Sequence, residues 1–250
     1  MSDVGLSREP LPPGLVQRIA PTVLAVERVL PVPEPLRELF PAGGLVRGSR
    51  VALHGGGATS LTMVMLAEAS REGSWISVVG SDAWGWGAAA WAGWALGRSI
   101  SVASPPPGRW AGAVAALLDA VDVVVLADRV AVGAAEARRL SARARERGVV
   151  LVETIPPRPD RVAPLPSRWP DGPDLTVEVE GVRWEGIGHG RAAPTTRRLR
   201  VTAVGRRGAA RPRRLVLELD RGARPLKVDV AADHRPLIGG VRHLRSVGSR

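Results

Sequence analysis

The residue types that come nearest to chemistry are three consecutive glycines, Gly55, Gly56 and Gly57, followed by Ser60, Leu61 and Thr62. They lie in VALHGGGATSLTMVM, where an apolar run enters the glycines and a second one leaves them. A phosphate-binding loop wants glycine, four residues, glycine, lysine, then serine or threonine. Its amides curl round the phosphates, the lysine reaches their outer oxygens, and the hydroxyl meets magnesium. Counted from Gly55, Ser60 falls at the second glycine, Leu61 at the lysine and Thr62 at the hydroxyl. Leucine brings neither charge nor donor, so beside a triphosphate it would desolvate oxygens without pairing them. The spacing therefore predicts a strand-turn-helix that keeps a phosphate-loop scaffold and lacks its cation.

No other residue readily supplies that cation. The only lysine is Lys227, far along the chain, while Arg47 and Arg50 precede the strand at the end away from the glycines. Asp82, in VVGSDAW, is the nearest carboxylate that could orient a water molecule. Other chemistries fare worse. His54, His189, His234 and His243 are scattered, there is no HExxH spacing and no cysteine, so no metal site is expected. A nucleophile elbow of the form G-x-S-x-G is missing. No cofactor is expected.

The elements that would position these residues alternate. Strands are expected at Arg50–Leu53, Trp75–Gly80, SISVA, Val121–Leu126 and GVVLVETI. Between them fall helical stretches at Ser60–Ser70, Trp84–Leu96, Arg109–Asp119 and Ala134–Arg147. Strand-helix alternation is the pattern of a largely parallel sheet covered by helices. Val121–Leu126 carries Asp122 as its only charge, as a strand buried on both faces should. Ahead of this core, Leu15 to Val29 has helical spacing, Pro31–Pro35 is a stiff linker, and PLRELF is a helical turn. After it, a proline-rich loop spans Pro156–Pro173, and LTVEVEGVRWEG, RRLRVTAVG and RRLVLELD alternate as antiparallel strands do. RRGAARPRR reads as a cationic hairpin loop between the last two, and the final twenty residues as a flexible or partner-ordered tail.

With 250 residues, 45% of them hydrophobic, the chain can bury a sizeable core. The first ten residues have no cationic-then-apolar leader pattern, and Ala83–Leu96 is too short to span a bilayer, so a soluble cytoplasmic protein is expected. Charge is uneven: residues 1–190 hold 19 basic and 20 acidic side chains, residues 191–250 hold 16 and 4. The C-terminal quarter thus suits a polyanion or an acidic protein surface.

The order of segments is recognisable. LPVPEPLRELFPAGGLVRGSRVALHG resembles the start of the RecA core, and AVDVVVLADRV resembles its strand carrying the magnesium-site aspartate. More specifically, with RRLRVTAVGRRGAARPRRLVLEL, the chain resembles the short RecA-like accessory proteins of the actinobacterial mutasome, the ImuA-prime type of the SulA–RecA-like superfamily. The resemblance implies an α/β, degenerate RecA-like P-loop fold, with a mostly parallel sheet flanked by helices and antiparallel strands added at the C-terminal side. It divides the chain into a helix and linker at 1–35, the core at 36–190, a basic strand extension at 191–230 and a tail at 231–250.

Laid ungapped on the RecA strand, Ala127 takes the aspartate position and Asp128 comes one residue late, which turns it to the other face unless a bulge intervenes. Asp122, Ala127 and Asp128 are thus a degenerate metal-site region. The function implied is a non-catalytic adaptor in SOS-induced, error-prone translesion synthesis, a DNA-repair and mutagenesis role. It would bind a Y-family-polymerase-like protein of ImuB type and, through it, a DnaE-type polymerase. Alternatives are a DNA-dependent ATPase of RecA type, a SulA-like cell-division inhibitor, and a simple DNA-binding protein. Arg197, Arg198, Arg200, Arg206, Arg207, Arg211, Arg213 and Arg214 are candidates for non-specific contact with DNA or an acidic partner, against a merely solvated basic face. Leu15, Ile19, Leu36 and Phe40, and Leu237, Ile238, Val241 and Leu244 in the tail, are candidates for partner binding or self-association, against packing on the core or fraying. Trp169 could stack on a base or pack back on its own domain. The density of Trp84, Trp86, Trp91 and Trp94 predicts one or two exposed anchors among them.

Overall fold

A computed structural model describes residues 29–128, 130–155, 168–185, 196–206, 211–220 and 225–228. Leu15, Ile19, Leu237, Ile238, Val241, Leu244, Arg207, His189, His234 and His243 lie outside the described residues.

The chain opens with a short antiparallel pair, β1 (Val29–Leu30) and β2 (Leu45–Val46), whose intervening residues include a 3-10 turn at Glu34–Leu39. Strand β3 (Arg50–Gly55) leads through the glycines to α1 (Ala58–Arg71) and β4 (Ile76–Val79). Helix α2 (Trp86–Ala92), β5 (Ser99–Val102), α3 (Pro107–Leu117), β6 (Val123–Leu126), α4 (Ala134–Arg147) and β7 (Val150–Ile155) continue the alternation. Four strands follow: β8 (Leu175–Glu185), β9 (Thr196–Gly205), β10 (Arg213–Leu219) and β11 (Pro225–Val228).

Nine of these strands form one sheet in the order β11-β10-β9-β8-β3-β7-β6-β4-β5. The six from β8 to β5 run parallel, and β9, β10 and β11 add on antiparallel beyond β8. This is the mostly parallel, RecA-like α/β arrangement expected from the sequence, with the antiparallel strands on the C-terminal side. Strand β3, which carries the glycine turn, sits between β7 and β8 near the middle of the sheet.

Period-two alternation divides the core between the two faces. Val51, Leu53, Val123, Val125 and Val152 join α1 and Trp84 and Trp94 on one face. Val79, Val124, Leu126 and Leu151 join α3, α4 and Trp169 on the other. All four residues of β6 are fully buried, as a strand covered on both sides requires.

One expectation needs correcting, and two open readings are narrowed. The helix expected over Trp84–Leu96 is broken: α2 ends at Ala92, Gly93 takes φ 106°, and a separate 3-10 turn covers Leu96–Arg98. Glycine alone adopts that conformation without a Cβ penalty, so the break is written in the residue type. Leu36 and Phe40, read as candidates for partner contact or for packing on the core, are buried in the main core and hold their segment to its own sheet. Trp169 packs back rather than stacking outward, at 2% exposure.

Candidate functional site

The glycine turn forms where expected, its three glycines part-exposed, with β8 and β9 beside it. Gly55 has φ 95° and Gly57 φ 99°, and Gly57 caps the N-terminus of α1. A Cβ on Gly55 would stand 2.3 Å from the Val179 carbonyl oxygen of the neighbouring strand β8. One on Gly57 would meet Leu199 Cδ2 at 3.4 Å and Val182 Cγ2 at 3.5 Å. Aliphatic side chains of β8 and β9 therefore lie against the turn.

The two residues after Ser60 point inward. Leu61 is 1% exposed and belongs to the main core, which explains an aliphatic residue there: the position is a packing position of α1. Thr62 is fully buried, and its hydroxyl donates to the Ala58 carbonyl at 2.9 Å. With that proton committed, Thr62 Oγ1 accepts from the Thr154 hydroxyl on β7, also at 2.9 Å. The hydroxyl that would meet a metal ion in a phosphate loop is satisfied internally.

A cation does stand at the first turn of α1, but it comes from β9. Arg197 Nη1 donates to Ser60 Oγ at 3.0 Å, and its guanidinium lies 5.0 Å from the ring centre of Trp184. Burial pulls the Arg197 pKa below the usual guanidinium range. Trp184, half exposed, covers it from the solvent side.

The acid region sits on the other side of the sheet. Ala127 packs with the α1 face, whereas Asp128 turns under α3, as the one-residue shift predicts. Trp110 Nε1 donates to Asp128 Oδ2. Arg168 then locks the cluster: Nη1 reaches Asp128 Oδ1 at 3.2 Å, Nη2 reaches the Asp128 carbonyl at 2.7 Å, and Nε reaches Glu153 Oε1 at 2.7 Å. The guanidinium also lies 5.2 Å from the Trp110 ring centre. All three charged side chains are at most 7% exposed. Two carboxylates that could have faced a cation are thus held by a guanidinium of the same chain. Beside them, burial holds the His54 pKa below its ordinary value, against the upward pull of Glu153 and Glu178.

The remaining candidates are structural or dispersed. Asp122 pairs with Arg47 at 2.9 Å and accepts from the Trp75 amide, at the opposite end of β6 from Asp128. Arg50, 1% exposed, donates from its amide, Nε and Nη2 to Asp174. Burial pushes the Asp174 pKa up, but these hydrogen bonds and the charges of Arg50 and Arg145 outweigh it, leaving the carboxyl below its ordinary range. Asp82 is exposed and accepts from the Ser104 amide at 3.3 Å. Among the described residues, no three His, Asp or Glu side chains converge to hold a metal ion.

Among the described residues, the arginines of the basic stretch divide between different faces. Arg197 turns inward, Arg198 pairs with Glu218 at 3.0 Å on the outer face, and Arg200 follows it there. Arg206 and Arg213 line a groove at the far end of the sheet, while Arg211 and Arg214 are exposed. Of the four clustered tryptophans, Trp91 stands out at 74% exposure while Trp84 and Trp94 are buried.

The sequence reading missed Thr154, Glu153 and the partnership of Arg168. Glu153 had a signal: it is the single charge in GVVLVETI, and a charge in a buried strand needs a partner.

The family model of the MT3502 N-terminal domain matches residues 38–159, the stretch from the 3-10 turn past β7. Similarity to that domain therefore covers the glycine turn, Asp128 and Glu153, and stops short of Arg168 and the antiparallel strands. No curated protein matches the chain. Among the described residues, no helix is long and apolar enough to cross a membrane.

Proposed function

We propose that this protein is a non-catalytic adaptor of RecA-like fold that serves damage-induced, error-prone translesion synthesis. The observation that carries the non-catalytic part is the burial of Leu61 and Thr62 behind the glycine turn. Leu61 is core, the Thr62 hydroxyl bonds Ala58 and Thr154, and Val179, Val182 and Leu199 crowd the glycines. A triphosphate there would have to displace aliphatic packing and break a satisfied buried hydroxyl pair, with no lysine to offset the cost. The acid one residue along is on the wrong face and already neutralised by Arg168.

The partner class rests on the resemblance to mutasome accessory proteins. In that reading the chain holds a Y-family-polymerase-like protein of ImuB type and, through it, a DnaE-type polymerase. DNA contact is secondary, non-specific and salt-dependent, and falls to the exposed Arg211 and Arg214. The test is affinity capture of the tagged full chain from DNA-damaged cells, followed by reconstitution of the strongest direct partner from purified components. A polymerase-like partner supports the proposal. A direct complex with the cell-division GTPase, and none with a polymerase-like protein, overturns it in favour of a division inhibitor.

A further inference from the structure

At the end of the sheet opposite the glycine turn lies an open groove of about 960 Å³ between the β1–β2 pair, the C-terminus of α4, and Arg206 and Arg213 at the facing ends of β9 and β10. That volume is at the upper end of the range for compact ligand sites, roughly 300–1,000 Å³. Apolar side chains, Phe40, Leu45 and Leu175, are among its lining, and Val46 is the exposed aliphatic residue beside them at 44%. Its charge is one-sided. Arg145, Arg206 and Arg213 line it against a single lining carboxylate, Asp174, which Arg50 already holds; a fourth lining arginine, Arg47, is itself paired with Asp122.

These cations are placed by the fold. Arg206 follows the end of β9, with its amide bonded to the Asp174 carbonyl at 3.1 Å and its guanidinium beside Gly172. Arg213 begins β10 and reaches the Glu38 carbonyl at 3.3 Å. Arg145 belongs to the last turn of α4, against Gly48. Gly48 has φ 77°, and a Cβ there would stand 2.9 Å from Arg145 Cα, so glycine lets the helix end close on the β2–β3 turn.

We infer that this groove is a docking site for an acidic peptide segment of a protein partner, one that carries aliphatic anchors between its carboxylates. Spaced carboxylates match Arg145, Arg206 and Arg213, and an aliphatic side chain fits against the exposed Pro41, Ala42 and Val46. Nucleic acid fits less well. The one aromatic lining residue, Phe40, is buried and offers no stacking platform.

This inference rests on the adaptor reading for its class of partner, and the two can fail separately. The probe is a fluorescein-labelled peptide alternating Asp or Glu with Leu, titrated against the full chain by fluorescence polarisation. Saturable binding is expected, weakened at least about tenfold in Arg206→Glu/Arg213→Glu, which corresponds to about 1.4 kcal/mol. Val46→Asp, at an exposed position, is expected to weaken it as well and serves if the double variant does not fold. Arg109→Glu, exposed and outside the groove, is expected to leave the affinity unchanged. Absence of binding, or an equal loss in Arg109→Glu, overturns the inference. So does a polythymidine oligonucleotide that competes for the groove and loses the same affinity in the double variant. Peptide binding that persists when no polymerase-like partner is captured would keep the groove and remove the adaptor reading. Capture of such a partner without peptide binding would do the reverse.

Discussion

Replacing Arg168 by leucine probes the cluster that holds the acid region shut. The Arg168 guanidinium donates three hydrogen bonds and makes two ion pairs at 7% side-chain exposure, to Asp128 and Glu153 at 3% each. Leucine keeps apolar contact with Trp110 but leaves the buried Asp128 without its ion-pair partner and takes a charged partner from Glu153. Breaking a buried ion pair by removing one partner costs about 3–5 kcal/mol. For a chain of this size each kcal/mol moves the midpoint by about 2–4 °C, so a fall of roughly 6–20 °C is expected. Urea unfolding followed by far-ultraviolet circular dichroism gives the free energy, and a thermal scan gives the midpoint. Arg168→Lys should fall in between, because an ammonium cannot reproduce the forked contact with Asp128 Oδ1, the Asp128 carbonyl and Glu153 together. Adding Asp128→Asn to Arg168→Leu should recover part of the loss, since the amide oxygen still accepts from Trp110. A loss below about 1 kcal/mol in Arg168→Leu would put the cluster among ordinary surface pairs and refute the reasoning.

Other substitutions test the turn and the far end of the sheet. Leu61→Lys, which restores the motif on paper, should destabilise the chain by several kcal/mol and gain no affinity for ATP in equilibrium dialysis, because the position is core. Gly55→Ala combines a positive φ with a 2.3 Å approach to the Val179 carbonyl, and should cost more than about 1 kcal/mol in urea unfolding. The Asp174 carboxyl titrates in the folded chain below its unfolded value near 3.9. Its stabilisation is therefore complete above about pH 5 and is lost as pH falls through the folded value. Asp174→Asn should lower stability at pH 7 and flatten the acid limb of a stability-against-pH curve.

The fold was legible because its signals are local. Val51, Val125 and Val152 sit in runs that only a two-sided buried strand explains, and Gly55 to Gly57 announce a turn with positive φ. The site was half legible. Counting residues placed Asp128 on the wrong face for metal chemistry, and its contact with Trp110 under α3 agrees. What counting could not supply was Arg168, which meets Asp128 from forty residues further along the chain through a loop without periodicity. Thr154 gave no signal, since a threonine in a strand is ordinary until Thr62 is brought opposite it. The β1–β2 pair and β11 were missed because two-residue strands and a strand opening on Pro225 carry too little alternation.

The claim that scaffold survives while nucleotide chemistry does not is tested most directly by thermal unfolding of the full chain with and without magnesium-ATP. A ligand present at about a hundred times its dissociation constant stabilises the folded state by about 2.7 kcal/mol. The account expects no shift of the midpoint at millimolar magnesium-ATP. A saturating rise that disappears in Thr62→Ala would contradict it.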